Sequence, residues 1–197
     1  MLEEDKLDEA LVCYDQLVKL CPYEPIVWRG KGVLLLTFSR IEEAISCYDE
    51  LMWLDPDDAD GWYGKAQSLM LLERYEESLP YYDEAIRLDP SKAGFLVGKS
   101  KSLAHLNKFV EALVCSNRAI KLDPDDAYAW VWKATALSNL NQCEKALSCY
   151  DEAIKLEPDE YTHYMDKGTL FEDTGRKKEA RIYYKKAEMI YKNSKNS

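Results

Sequence analysis

Histidine is scarce in this chain, with two in 197 residues, His105 and His163. Acid–base catalysis and transition-metal binding lean heavily on imidazole, so both functions start without their commonest side chain. Basic residues are short as well, 26 Lys and Arg against 36 Asp and Glu, for a net charge of −10. Nucleic acids and anionic membrane surfaces call for clustered Lys and Arg, so neither partner is expected. No apolar run approaches the ~20 residues of a membrane span. The opening Met1-Leu-Glu-Glu-Asp lacks the basic-then-apolar order of a signal peptide. No Asn-x-Ser/Thr acceptor occurs. These absences together point to a soluble, reducing, cytoplasmic setting.

Apolar residues make up 47% of the chain, with 14 Tyr and 5 Trp, enough to build a core. They recur. Pro22, Pro56, Pro90, Pro124 and Pro158 stand 34 residues apart. Trp28, Trp62, Leu96, Trp130 and Tyr164 form a second ladder at that spacing. Ala10, Ala44, Ser78, Ala112, Ala146 and Ala180 form a third, and Tyr14, Tyr48, Tyr82, Ser116, Tyr150 and Tyr184 a fourth. Four ladders in one register mark a repeat protein.

Each unit reads as two helices. Trp28, Gly32 and Leu35 share one helix face, and Ile41, Ala44, Tyr48 and Leu51 share another. Short breaks separate them at Ser39-Arg40, Asn107-Lys108, Asn141-Gln142 and Gly175-Arg176. Asp55-Pro56 closes the second helix, and Asp58 is placed to cap the next. Pro80 falls inside a second helix, where a local bend rather than a break is expected. Small residues at Gly32, Ala66, Ser100, Ala134 and Gly168 allow paired helices to approach closely.

This pattern resembles the tetratricopeptide repeat over nearly the whole chain. The resemblance implies an all-α, right-handed α-solenoid, a superhelix of stacked antiparallel hairpins. Its first helices would line a concave groove and its second helices the convex back. The expected layout is one solenoid over residues 1–192, divided as 1–24 (a half repeat), 25–58, 59–92, 93–126, 127–160 and 161–192, with a disordered tail at 193–197. Two departures stand out: Lys31, Lys65, Lys99, Lys133 and Lys167 replace the family's usual Leu, and Leu96 with Ser116 predicts looser packing in the fourth unit. Asp15, Asp49, Asp83 and Asp151 precede four of those lysines by one constant step, which suggests ion pairs between repeats.

Chemistry-bearing motifs dissolve into the repeat. Gly94-Phe-Leu-Val-Gly98-Lys99-Ser100 is one residue short of a phosphate loop and follows no strand. Cys13, Cys47, Cys115 and Cys149 share one slot, on the order of 10 Å apart by helix packing distances, too far for a disulfide or a shared zinc. No catalytic, cofactor or metal residues are assigned. The expected activity is binding of a protein or peptide partner, not catalysis. The resemblance places the groove at Ile26, Arg29, Val33, Tyr63, Gln67, Val97, Lys101, Tyr128, Val131, Thr135, Thr162, Met165 and Thr169. The paired Lys and Asn that hold a terminal carboxylate in chaperone-binding relatives are missing there, and apolar anchors are expected instead. Two rival readings are a regulatory or substrate-presenting arm of a larger enzyme and a self-assembling solenoid.

The ends differ in charge. Residues 161–197 hold nine Lys and Arg against five Asp and Glu, or +4, which leaves −14 on the first 160 residues. The last helix reads as a charged cap, whereas Leu7, Ala10, Leu11, Tyr14, Leu17 and Val18 of the first helix face no preceding helix. Weak homodimer formation through that N-terminal helix is expected, with head-to-tail contact as the alternative.

Overall fold

A computed structural model describes residues 2–195, with side chains from Asp8 onward. Leu7, placed above on the first helix's apolar face, lies outside the described side chains. Among the described residues there are eleven α-helices and no strand. They are α1 (Leu2–Leu20), α2 (Pro25–Thr37), α3 (Ile41–Leu54), α4 (Ala59–Leu71), α5 (Tyr75–Leu88) and α6 (Ala93–His105), followed by α7 (Phe109–Leu122), α8 (Ala127–Asn139), α9 (Cys143–Leu156), α10 (Tyr161–Asp173) and α11 (Lys177–Ser194). The last helix runs past residue 192, where the repeat pattern was expected to end, and residues 196–197 lie outside the description.

Two compact units divide the chain within α6, Met1–Ser102 and Leu103–Ser197. In the first unit α2 packs on α3 and α4 on α5, while α3 also meets α4 across the step between hairpins. In the second unit α8 packs on α9 and α10 on α11, with α7 against α8 and α9 against α10. Helices α3, α4, α8, α9 and α10 thus bury one face within the hairpin and a second against a neighbouring hairpin.

Local chemistry sets the boundaries. Ser39, Glu73, Asn107, Asn141 and Gly175 all adopt φ between 58° and 77°. In each case the next residue's N–H reaches back five residues, as from Arg40 to the Leu35 carbonyl at 2.9 Å and from Arg74 to Leu69 at 2.9 Å. That is the Schellman closure, which satisfies carbonyls the helix end would leave open. Asp58 caps α4 by accepting from the Asp60 and Gly61 N–H groups, and Asp126 caps α8 through Tyr128 and Ala129. Pro80 leaves α5 continuous over Tyr75–Leu88, with the proline itself exposed.

The Trp and Pro ladders turn out to be one device. Trp28 Nε1 donates to the Pro22 carbonyl at 2.8 Å, Trp62 to Pro56 at 2.8 Å and Trp130 to Pro124 at 2.9 Å. Tyr164 keeps the bond with its hydroxyl, donating to Pro158 at 2.9 Å. Each aromatic therefore ties the first turn of its helix to the turn that precedes it. Leu96 has no donor to offer Pro90.

The Tyr ladder sets the closest approach between hairpins. A Cβ built on Gly64 would lie 2.3 Å from the Tyr48 ring, and one on Gly98 would lie 2.6 Å from the Tyr82 ring. Tyr48 and Tyr82 are 2% and 0% exposed as a result. The ladders put Ser116 and Trp132 where earlier steps put Tyr48 with Gly64 and Tyr82 with Gly98. Small and large residues have exchanged sides. Ser116 itself is fully buried, and the register sets a large ring, Trp132, in the slot that holds glycine at those earlier steps.

Four Lys–Asp pairs join successive hairpins: Lys31 to Asp15 at 2.8 Å, Lys65 to Asp49, Lys99 to Asp83 and Lys167 to Asp151. The lysine stems are largely covered while the carboxylates stay about half exposed, so each pair contributes only about 0–1 kcal/mol. For Lys65, burial works to lower the pKa, but hydrogen bonds to Asp49 and Tyr81 outweigh it and the pKa rises. Lys133 lacks an aspartate in that slot and rests its ammonium 5.0 Å above the Trp130 ring.

Candidate protein-binding face

The expected groove residues all lie on the first helices of the hairpins and differ in exposure. In the first unit, Ile26 and Val33 of α2 are 70% and 55% exposed, although apolar. Together with Tyr14, Arg29, Gly30 and Leu34 they border an open cleft of about 490 Å³. Arg29 is not free to hold a ligand's carboxylate, because its guanidinium is paired with Asp58. Its Nε is buried without an acceptor. Tyr63 of α4 lies against Phe95, with ring centroids 4.7 Å apart, and 6.0 Å from Tyr82. Gln67, Val97 and Lys101 are half-buried.

The second unit presents Tyr128 at 50% exposure and Met165 at 42%. Val131 does not reach this surface. It is 7% exposed and belongs to the core around Ala134, Leu137 and Tyr150, while its neighbour Trp132 stands beside His105 with ring centroids 5.8 Å apart. Thr135, Trp132 and His105 line a cleft of about 240 Å³. Thr135 and Thr169 turn their hydroxyls back onto the carbonyls of Val131 and Met165, at 3.0 Å each, and Thr162 bonds the capping Glu160. Threonines so engaged offer methyl groups more than free hydroxyls.

A further cleft of about 320 Å³ between α10 and α11 is lined by Tyr161, Met165, Tyr184, Glu188 and Tyr191. Tyr161 and Tyr191 meet edge-on with centroids 5.1 Å apart. The Tyr184 hydroxyl donates to Glu172 at 2.7 Å. A bond with Thr169 works to lower its pKa, but the Glu172 bond and burial leave it raised. Burial likewise raises Asp166 beside Met165, against the pull of His163. Sequence reasoning missed Tyr161 and Tyr191, and it took Tyr184 for core. The available signal was the density of tyrosine in the last two helices.

One histidine and three cysteines of the chain are buried. His163 is buried, 1% exposed, and bonds Glu157 at 3.0 Å. Burial pushes the Cys47 thiol up to about 11, and Cys149 is raised by the same cause, so neither serves as a nucleophile near neutrality. Cys47, Cys115 and Cys149 are buried, whereas Cys13, in the same repeat slot, is exposed. Among the described residues no three His, Cys, Asp or Glu side chains are placed to hold a metal ion. No described helix is long and apolar enough to cross a membrane.

Helical hairpins that repeat in one 34-residue register define a helical repeat protein. The chain belongs to the tetratricopeptide-repeat family: models of that repeat match residues 59–92, 115–148 and 133–195, together more than half of its length. Solved structures share the fold. YrrB, described as a TPR protein with an unusual peptide-binding site, is 21% identical, with 90% of this chain and 91% of that one covered at a TM-score of 0.68. MamA from Desulfovibrio magneticus RS-1 is 20% identical, with 86% and 96% covered and a TM-score of 0.74. The Cut9–Hcn1 hetero-tetramer of the APC/C gives a TM-score of 0.83 at 16% identity, over 97% of this chain and 38% of that one. No curated protein matches the chain.

Proposed function

We propose that this protein is a non-catalytic scaffold whose first-helix face holds a peptide segment with apolar anchors. One observation carries the reading: first-helix apolar residues stay 42–70% exposed in both units, Ile26 and Val33 in the first, Tyr128 and Met165 in the second. Core packing does not use them, and exposed apolar surface that recurs on one face signals contact. With Arg29 paired to Asp58, the anchors outweigh any charge contact. The net charge of −10 favours a protein partner over nucleic acid. Six cysteines without a disulfide fit work in the cytoplasm. YrrB, a TPR protein with an unusual peptide-binding site, makes peptide binding a use this fold supports.

Peptide-library selection on the intact protein tests this. Selected peptides should carry apolar residues at regular spacing, and Val33→Glu with Met165→Glu should weaken them at least tenfold without loss of helical content. Binders that ignore both changes but respond to Glu77→Ala on α5 would move the site elsewhere.

A second reading concerns α1. Tyr48, Leu51 and Cys47 of α3 are at most 3% exposed, whereas the same slots in α1 hold half-buried Tyr14, exposed Cys13 and Leu17 at 42%. Among the described residues no helix covers that face of α1. A second copy's N-terminal helix, paired about a two-fold axis, would cover it, and Leu17→Glu should abolish such a dimer in sedimentation.

A further inference from the structure

The outer faces of α3 and α7 depart from the repeat in opposite senses. Four slots at helical spacing form this face in every second helix. In α5 they hold Glu76, Pro80, Glu84 and Arg87, and in α9 Glu144, Ser148, Glu152 and Lys155. Polar or charged residues dominate, as a solvated face requires. In α7 the same slots hold Val110, Val114, Arg118 and Lys121, with the valines 65% and 55% exposed. Both glutamates of the pattern are gone, and the charge that remains is positive. In α3 the slots hold Glu42, Ser46, Glu50 and Trp53, with Trp53 69% exposed. There the acids stay and the basic residue at the end has become a tryptophan.

We propose that the outer face of α7 binds the outer face of α3 on a second copy of this chain, with the two helices antiparallel. The charge order dictates the direction. Antiparallel, Trp53 falls on Val110 and Val114 while Glu42 and Glu50 reach Lys121 and Arg118. Parallel, Glu50 would still meet Arg118, but Glu42 would lie on Val110 and Trp53 on Lys121, so the apolar residues of the two faces would not meet. Tryptophan is enriched among residues that dominate interface energies, and a neighbouring arginine can stack on its ring. The contact joins unlike surfaces, so a pair leaves a receptor face free on one copy and a donor face free on the other for further copies. Neither the first-helix face nor the exposed side of α1 takes part.

Sedimentation equilibrium of the full chain over a concentration series, at low and high salt, reads this directly. Wild type should self-associate, more weakly at high salt. Trp53→Ala removes the donor and Val110→Glu spoils the receptor, so each alone should weaken association at least tenfold. Both positions are exposed, and circular dichroism should show unchanged helix content. An equimolar mixture of the two variants regains one sound contact, Trp53 of the Val110→Glu chain on α7 of the Trp53→Ala chain. That mixture should form a 1:1 dimer. The charge exchange Glu50→Arg with Arg118→Glu should restore association that either change alone weakens. A wild type that stays monomeric at the highest concentration overturns the proposal. So does association that both single variants leave intact, or a mixture that stays monomeric. Loss with Leu17→Glu alone would assign any dimer to α1 and refute the contact between α3 and α7.

Discussion

Tyrosine and glycine trade volume across each step between hairpins, and the trade is local. Gly30, Gly64 and Gly98 sit under Tyr14, Tyr48 and Tyr82, each too close for a Cβ. Where the ring is lost, at Ser116, the glycine slot holds Trp132. A double-mutant cycle in this pair should therefore be strongly non-additive. Ser116→Tyr alone overpacks a filled slot, at about 1–3 kcal/mol. Trp132→Gly alone opens a cavity and places glycine in a helix, costing about 3 kcal/mol or more. Together they recreate the Tyr–Gly step seen elsewhere in the chain and should recover 1 kcal/mol or more of the summed loss, within the ~0.5–3 kcal/mol range of coupled neighbours. Urea denaturation midpoints decide it, and additive losses would show that the two residues do not share the slot. Sequence alone made Ser116 look like a defect, because a ladder shows what one helix lost and not what its neighbour gained.

Helices were easier to read than their ends. Proline and aspartate mark where second helices stop, and Asp58 caps α4 as its position suggests. The break after α4 was not legible, because Glu73 is a residue type that rarely adopts φ of +59°. Five equivalent turns need that conformation, and only one of them has glycine, at Gly175 with φ +77°. The left-handed region costs an L-residue roughly 1–2 kcal/mol. Glu73→Gly should accordingly stabilise the protein by about 1 kcal/mol, and Gly175→Ala should destabilise it by a similar amount. A Cβ at Gly175 would meet nothing within 4 Å, so the second effect is backbone strain alone. Thermal melts that move together, in either direction, would contradict this account of the turns. The tyrosine cleft between α10 and α11 was hidden for a related reason. Tyr184 shares its ladder with Tyr48, Tyr82 and Tyr150, all 5% exposed or less, and ladder membership does not reveal that a ring near the end of the array is left partly open.

A repeat protein gains stability from each interface between neighbours, so cover is distributed unevenly along the chain. At α11, slots that hold Leu147, Asp151 and Ile154 in α9 carry Arg181, Lys185 and Glu188. That end is made polar. Among the described residues, the α1 face keeps apolar Tyr14, Leu17 and Val18 with α2 as its main packing partner. Leaving on the order of 300 Å² of such surface in water forgoes about 7 kcal/mol of burial at ~25 cal/mol per Å². Local opening free energies should follow this gradient. In hydrogen exchange at low protein concentration, the amides from Cys13 to Leu20 should exchange at least tenfold faster than those from Cys47 to Leu54. Raising the concentration separates the contacts argued above. Protection that grows along α1 signals pairing of N-terminal helices, whereas outer-face pairing protects α3 and α7 and leaves α1 unchanged. Slow exchange in α1 even at the lowest concentration would mean that its exposed leucine and tyrosine cost the fold little, and the gradient drawn from burial would fail.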